Sequence, residues 1–314
     1  MRFMSRFFLI VTVVLFGAGT VRGAAAPLNV VATTEDLASL AREVGGDRIA
    51  VTALAAGYQD PHQVDAKPSF ILAISRADLL IAVGRDLEIG WLPSLLASSR
   101  NGKVQVGAPG YLDASSTVKI LEIPTGQITR AMGDVHPQGN PHYWLDPANG
   151  RHMANAIRAK LGELAPADRA YFDKRYADFD ARLAAAEARW DKTMAPFKGR
   201  KLVTYHRSWP NFMERFGLNV VGYVEPKPGI PAPPAHILGL IEEMKRQGVT
   251  VIVVEPYWSL KTPQSIASQT GAKVLVLAPS VGGVKKADPP DYIALFDYNI
   301  GLLTAALKAP VPSR

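Results

Sequence analysis

The chain has 314 residues, of which 48% are hydrophobic and 20% are charged, a balance typical of a folded protein rather than a disordered one. Its formal charge of +7 is scattered along the sequence, and no basic run with interleaved aromatic residues indicates nucleic-acid binding. Cysteine is absent, which excludes disulfide bonds, thiolate catalysis, thiolate metal sites and a lipid-anchored cysteine.

The first 25 residues have the layout of a secretory signal peptide. The basic start MRFMSR precedes the apolar run FFLIVTVVLFGAG and a stretch of small residues suited to cleavage. The apolar run is shorter than the roughly 20 residues that span a bilayer. We therefore expect residues 1–25 to be removed, leaving a soluble periplasmic protein. Loss of the three arginines in this segment lowers the formal charge from +7 to +4.

Strands and helices alternate through the first half of the mature chain. The patterns predict strands at LNVVAT and IAVTALAA, a helix at TEDLASLAREVGGDR, a helix running into a buried strand at FILAISRADLLIAVG, a helix at EIGWLPSLLASS and extended chain at GKVQVGAP. This alternation predicts a parallel sheet flanked by helices. Residues 108–141 are rich in glycine and proline and are predicted to form a long loop, which in a compact domain is usually functional or disordered.

The second half repeats the pattern after one long helical segment. Residues 166–197 contain no glycine and have prolines only near their ends, which predicts a helix roughly 45 Å long at about 1.5 Å per residue. Strands are then predicted at KLVTYH, LNVVGYVE, VTVIVVE and KVLVLAP, with helices between and after them. We expect two α/β lobes, residues 26–163 and 198–314, joined by a rigid helix within residues 164–197.

Four residues that can bind metal ions lie next to predicted strands or turns. His62 follows a strand of the first half, and His142 lies in the turn before a helix. His206 and Glu255 each end a strand of the second half. Ligand sites in open α/β sheets form beyond the carboxyl ends of strands, so two facing lobes would bring all four side chains into one cleft. Three imidazoles and a carboxylate suit Zn²⁺, Mn²⁺ or another first-row divalent ion.

A histidine in a Pro-His pair is more often an ordinary loop or core residue than a ligand. His142 alone would therefore be read as structural. A second Pro-His loop at His62 and the strand-end His206 reverse that expectation.

The chain resembles the solute-binding proteins of zinc and manganese ABC importers, the cluster A-I group. The resemblance covers essentially all of residues 27–310. It rests on the order and spacing of VVATTEDLASLAREVGGD, DPHQVDAKPS, NPHYWLDP, LVTYHRSWPNFMERFGL, EPYWSLKTPQSIASQTGAKVLVL and DYIALFDYNI. It implies two α/β lobes joined by a long helix, one metal ion between the lobes, and delivery of that ion to a membrane permease by a soluble monomer.

The resemblance also implies a ligand set. His62 and His142 match the ligands of the two Pro-His segments, and His206 matches the third ligand. Many family members have a fourth ligand, an aspartate after the last strand, but this chain has Pro279 at the matching position. We expect Glu255 to substitute for it, with water as the next candidate. Three histidines favour zinc over manganese, which prefers more oxygen ligands.

The remaining histidines and the residues around His142 are expected to have supporting roles. The loop before the second Pro-His pair contains only His136, which we expect to be solvated, although it could swing in as an extra ligand. His152 is expected to face solvent or to pack, and His236 to be structural. Asp146 is expected to cap the helix that begins near it, and Trp144 to contribute to packing.

Two other functions compete with metal capture. A site with three nitrogen ligands and an open coordination position is also typical of a zinc hydrolase. The sequence contains no HExxH or GxSxG motif and no second carboxylate cluster placed to act as a base, so we do not expect an enzyme. A surface adhesin is disfavoured because the sequence shows no anchor.

Overall fold

The protein folds around two parallel four-stranded sheets, one in each half of the chain. The structure, a computed structural model, describes residues 26–126, 129, 132–133, 135–284 and 289–308. Its strands are β1 (Leu28–Ala32), β2 (Ile49–Ala53), β3 (Leu79–Ala82), β4 (Tyr111–Asp113), β5 (Lys201–Thr204), β6 (Asn219–Tyr223), β7 (Val251–Val254) and β8 (Lys273–Val276). The sheet orders are β2-β1-β3-β4 and β6-β5-β7-β8, and each neighbouring pair is parallel.

Helices cover the faces of both sheets. They are α1 (Glu35–Gly45), α2 (Pro68–Ser75), α3 (Leu92–Ser99), α4 (Pro147–Leu164), α5 (Arg169–Met194), α6 (Pro210–Phe216), α7 (Pro234–Gln247), α8 (Lys261–Thr270) and α9 (Tyr292–Leu307). All four residues of β3 and all four of β7 are buried, as expected for inner strands of a parallel sheet covered on both faces. The predicted pair of α/β lobes is confirmed.

The predicted long helix is also present. Helix α5 continues at each end into a single 3-10 turn, so the helical segment runs from residue 166 to residue 197. One face of α5 is buried: Phe172, Phe179, Leu183, Ala186, Trp190 and Met194. This face packs against α1, α4 and α9. The helix is therefore part of the core as well as a connection between the lobes.

The two lobes share a continuous hydrophobic core and direct polar contacts. The core runs from β1 and β3 through α1, α4 and α5 to α9 and the second sheet. The buried carboxylate of Asp36 in α1 accepts hydrogen bonds from the Ser280 hydroxyl and from the Val281 N–H at 3.0 Å, both in the loop after β8. These contacts fix the loop after β8 against the first lobe.

The fourth strand differs from the prediction. GKVQVGAP was predicted to be extended, but Gly102–Val104 form a 3-10 turn and β4 begins only at Tyr111, inside the predicted loop. The Asn101 side chain causes this difference, because it caps the turn at Lys103 N and donates to the carbonyls of Ile74 and Ala77.

The predicted signal peptide, residues 1–25, lies outside the described residues. Within the part of the chain that the structure describes, no helix has both the length and the apolar composition needed to cross a bilayer.

Candidate metal centre

Three of the predicted ligands meet between the two sheets. His62 lies in the loop between β2 and α2, His142 lies just before the short 3-10 turn that leads into α4, and His206 lies two residues after β5. Among the described residues, these histidines form a group in which one ring nitrogen of each lies within 4.8 Å of the others. The first lobe therefore supplies two imidazoles to this group and the second lobe supplies one.

The three rings are not stacked: His206 is edge-on to the other two rings, and His62 and His142 are tilted relative to each other. The ring centroids of His62 and His142 are 5.1 Å apart, those of His62 and His206 are 5.5 Å apart, and those of His142 and His206 are 5.7 Å apart. Nitrogens that share a tetrahedral zinc ion lie about 3.4 Å apart, given zinc–nitrogen bonds of about 2.0–2.1 Å. A small inward movement of the rings would bring these nitrogens to that spacing.

The Asp60 carboxylate fixes the His62 ring. Its Oδ1 lies 2.7 Å from Nδ1 of His62 and also accepts a hydrogen bond from the His62 backbone N–H at 3.0 Å. Because an ionised carboxylate can only accept, Nδ1 carries the proton. The lone pair of His62 is thus on Nε2, the nitrogen available to a metal ion.

Asn140 holds His142 in the same way. Its Oδ1 accepts from the His142 backbone N–H at 2.9 Å and from Nδ1 at 3.0 Å. Nε2 of His142 is buried and has no hydrogen-bond partner in the structure. Burial, reinforced by the nearby His62, holds the pKa of His142 well below its usual range, so the ring is neutral. A buried, unpaired ring nitrogen with a free lone pair fits a metal ligand.

His206 faces a carboxylate of its own lobe. Its Nδ1 lies 2.6 Å from Glu225 Oε2, and both side chains are only 7% exposed. Burial alone would lower the pKa of His206, but the hydrogen bond to Glu225 and the charges of Glu255 and Glu225 outweigh it and raise the pKa. The Glu225 Oε1 accepts from the Gly229 N–H at 3.0 Å, which fixes the carboxylate in turn.

Glu255 does not belong to the close group of three histidines. It follows β7 as predicted and is fully buried, and its Oε1 accepts a hydrogen bond from Trp209 Nε1 at 2.9 Å. Burial raises the pKa of this carboxyl group. Its Oε2 has no hydrogen-bond partner in the structure. The role of Glu255 as fourth ligand stays a prediction.

His136 lies beside the group, which differs from the solvated position expected for it. Its Nε2 is 3.2 Å from Nε2 of His62, and burial lowers its pKa to about 4. It lines a pocket of about 350 Å³ together with His142 and His206. Of the two alternatives from the sequence, a solvated His136 and one that swings in toward the site, the position of the ring is nearer to the second.

The other expectations around the site are confirmed. Asp146 caps α4 by accepting from the Ala148 N–H at 2.9 Å. Trp144 packs in the hydrophobic core, as expected, and its Nε1 also donates to the Pro279 carbonyl of the second lobe at 2.8 Å. His236 is structural, with its Nε2 2.8 Å from the Tyr223 carbonyl oxygen.

The residues that orient the histidines were not singled out from the sequence. Asp60 and Asn140 each lie two residues before a histidine, with a proline between, and each bonds both the backbone and the ring of that histidine. This repeated Asx-Pro-His pattern was a usable signal. Glu225 lies 19 residues from His206, and no local pattern connects the two.

Comparison with known proteins places the chain in a family. A family model described as zinc-uptake complex component A, periplasmic, matches residues 30–306. The metal ABC transporter substrate-binding lipoprotein SloC of Streptococcus mutans is 22% identical over 300 residues, 94% of either chain. The zinc uptake protein ZnuA of Brucella abortus is 29% identical over 171 residues, which cover 54% of this chain and 50% of ZnuA. These relatives are named for substrate binding and uptake and not as enzymes, which agrees with the prediction.

Solved structures share the fold. A crystal structure of a zinc-bound ZnuA deletion mutant has a TM-score of 0.75 at 24% identity and covers 90% of this chain and 99% of its own. A manganese-bound mutant of a periplasmic metal-binding protein from Candidatus Liberibacter asiaticus has a TM-score of 0.72 at 19% identity, covering 88% and 98%. The chain belongs to the family of zinc-uptake complex component A, the substrate-binding proteins of metal ABC transporters.

Proposed function

We propose that this protein captures one divalent transition metal ion, zinc first and manganese second, in the cleft between its lobes. His62, His142 and His206 bind the ion, and the loaded protein delivers it as a periplasmic monomer to the membrane permease of an ABC importer. The observation that carries this proposal is the unpaired, fully buried Nε2 of His142 within a group of three imidazoles from both lobes.

The chemistry of the donors supports zinc. Each of the three rings has a hydrogen-bond acceptor at Nδ1, which leaves Nε2 as the donor atom in all three. Such outer partners are usual for metal-binding histidines, because they fix the ring and raise its basicity. Three nitrogen ligands suit zinc, whereas manganese prefers oxygen. The relatives include proteins named for zinc and proteins named for metals in general.

The position of the site supports a role in transport. Ligands from two lobes can hold an ion between them and release it when the loops that carry them move apart. The fourth coordination position has two candidates from the sequence, the Glu255 carboxylate and water.

The test is elemental analysis of the protein purified from its own periplasm without added metal, together with titration of the metal-free form. We expect about one zinc per chain and binding of one equivalent in titration. A reproducible stoichiometry near zero, or above two, would overturn the single-site proposal. Uptake assays in cells that lack the chain, with and without the permease, test the delivery step.

A further inference from the structure

The side-chain amide of Asn140 makes hydrogen bonds to both lobes. Its Oδ1 accepts from the backbone N–H and the ring of His142. Its Nδ2 donates to Glu122 Oε2 at 2.9 Å and to the backbone carbonyl of Arg207 at 2.8 Å. The amide is 6% exposed. Its orientation is unambiguous, because a flipped amide would face acceptors with its oxygen and donors with its nitrogen.

These bonds connect the segments that carry two of the proposed ligands. Arg207 follows His206 directly, so its carbonyl belongs to the second lobe, whereas His142 belongs to the first. The Asn140 backbone N–H also donates to the Leu121 carbonyl at 2.8 Å, which places Glu122 beside Asn140 on the first lobe. One amide thus orients a ligand of the first lobe and holds the backbone next to a ligand of the second.

Glu122 reinforces the connection from the side of the pocket. Its Oε2 accepts from Asn140, and its Oε1 lies 3.4 Å from a guanidinium nitrogen of Arg207. That guanidinium lies over the Tyr223 ring, 4.4 Å from the ring centroid. The Glu122 backbone has a φ of 52°, a left-handed conformation that residues with a side chain rarely adopt. The two oxygens of the Glu122 carboxylate thus bond Asn140 in the first lobe and Arg207 in the second.

We propose that Glu122, Asn140 and Arg207 form an interlobe clasp that sets how slowly the bound ion leaves. Asn140 is a positioning residue that acts through His142, and Glu122 acts through Asn140 and Arg207. This inference rests on the proposed function, because it takes His142 and His206 as ligands. Removing the Glu122 carboxylate loosens the clasp while leaving every proposed ligand and its Nδ1 partner in place. The ion should then dissociate faster from an unchanged set of ligands.

A second contact between the lobes provides a matched control. Lys119 pairs with Glu214 of α6, and their side chains are 70% and 54% exposed. This pair also links the segment before Glu122 to the second lobe, but it does not contact Asn140, Arg207 or the histidines. A general effect of losing one interlobe ion pair would appear in Glu214→Ala as well.

The experiment compares zinc release from the parent protein, Glu122→Ala, Glu122→Gln and Glu214→Ala. Release is followed by stopped-flow transfer to an excess of chelator. Glu122 bonds Asn140 and Arg207 but no proposed ligand, and its ion pair with Arg207 is partly exposed, so we expect Glu122→Ala to release zinc about 2–5-fold faster. Glu122→Gln, which keeps an oxygen for Asn140, should lie between this variant and the parent, and Glu214→Ala should match the parent. Release from Glu122→Ala at the parent's rate overturns the proposal, as does an equal acceleration in Glu214→Ala.

Two further measurements separate this proposal from the proposed function. The absorption spectrum of Co²⁺-loaded Glu122→Ala should match that of the parent, because the ligands are unchanged, and a changed spectrum overturns the clasp as described. A parent protein that binds neither Zn²⁺ nor Co²⁺ would instead overturn the metal site itself. If Glu122→Ala does not fold, Glu122→Gln decides, because it keeps the size of the side chain and removes its charge. Faster release from Glu122→Gln supports the clasp, and the parent's rate overturns it.

Discussion

The Glu225 carboxylate lies 2.6 Å from Nδ1 of His206, and this contact between two buried side chains determines which ring nitrogen keeps a proton. The carboxylate can only accept, so Nδ1 keeps its proton and Nε2 is the ring nitrogen that can give up a proton to bind an ion. Glu225 is itself fixed by the Gly229 N–H. The second lobe thus presents a proposed ligand whose ring orientation is fixed in the structure by Glu225.

We expect Glu225→Gln to weaken zinc binding about 10–100-fold, because loss of an outer-shell partner typically costs that much. Glutamine is similar in size, so the fold should survive. The hydrogen bond from His206 to Glu225 helps to raise the pKa of His206, so the variant should also keep its affinity to lower pH than the parent. Competition with a chelator at several pH values measures both effects. Glu243→Gln is the control, since Glu243 bonds Arg246 and Gln247 of α7 and is not part of the histidine group. Unchanged affinity in Glu225→Gln would contradict the assigned role.

Zinc affinity should fall as pH falls, and His206 should dominate the first part of the loss. Its pKa is raised above 6.5, so a proton competes with the ion near neutral pH, whereas the neutral His142 does not compete until the pH is far lower. The raised pKa also means that His206 stabilises the metal-free fold below the pKa of the unfolded chain. That stabilisation is lost as pH rises through the folded pKa. The metal-bound form has the opposite dependence.

Isothermal titration between about pH 8 and pH 5 measures this dependence. We expect a loss of about one log unit of affinity per pH unit once His206 is protonated, and release of about one proton per ion bound. A constant affinity over this range would rule out a site built from histidines.

His142→Ala should abolish high-affinity binding. The ring is fully buried, supplies one of three close nitrogens and has a free Nε2, so its loss removes a proposed ligand that water cannot replace in the same geometry. We expect the zinc affinity to fall at least about 100-fold, more than for an outer-shell change. His152→Ala is the control because His152 lies on α4, outside the group of three. Equal zinc affinities of the two variants would show that His142 is not part of the metal site.

The sequence was sufficient to predict the histidine group because its geometry follows from a rule about parallel sheets. His62 lies in the loop after β2 and His206 lies two residues after β5, so each lies beyond the carboxyl edge of its own sheet, and the two lobes face each other there. The positions of Glu225 and His136 could not be predicted, since each depends on how a loop folds over the cleft. The same limit applies to β4, because the side chain of Asn101 competes with an extended backbone at Gly102–Val104.

Gly57→Ala should destabilise the contact between the lobes. A Cβ at Gly57 would lie 1.8 Å from the carbonyl oxygen of Val281 and 2.8 Å from the backbone carbon of Gly282, so the backbone itself must move. We expect a loss of about 1–3 kcal/mol in the free energy of unfolding, the usual cost of overpacking. Gly301→Ala in α9 is the control, because its Cβ meets nothing within 4 Å and alanine favours a helix. Chemical unfolding of the metal-free proteins makes the comparison. A Gly57→Ala variant as stable as the parent would show that the backbone at Val281 and Gly282 can move without loss of stability.

The last prediction is that Glu255 completes the coordination shell, since Pro279 stands where the resemblance implies an aspartate ligand. Glu255 follows the buried strand β7, its Oε1 is held by Trp209, and its Oε2 is unpaired in the structure. For this to happen, the loops of the second lobe would have to move inward when the metal binds and bring that oxygen to the ion.

Glu255→Gln keeps the size of the side chain and the acceptor for Trp209 but removes the charge. The fold should therefore survive while zinc affinity falls about 10-fold or more, as even outer-shell changes cost about 10–100-fold. His62→Ala and His142→Ala are the positive controls and should lose more. If Glu255→Gln binds zinc as tightly as the parent while both controls fail, the fourth position belongs to water or to another residue. His136 is then the next to test, because its Nε2 already lies 3.2 Å from that of His62.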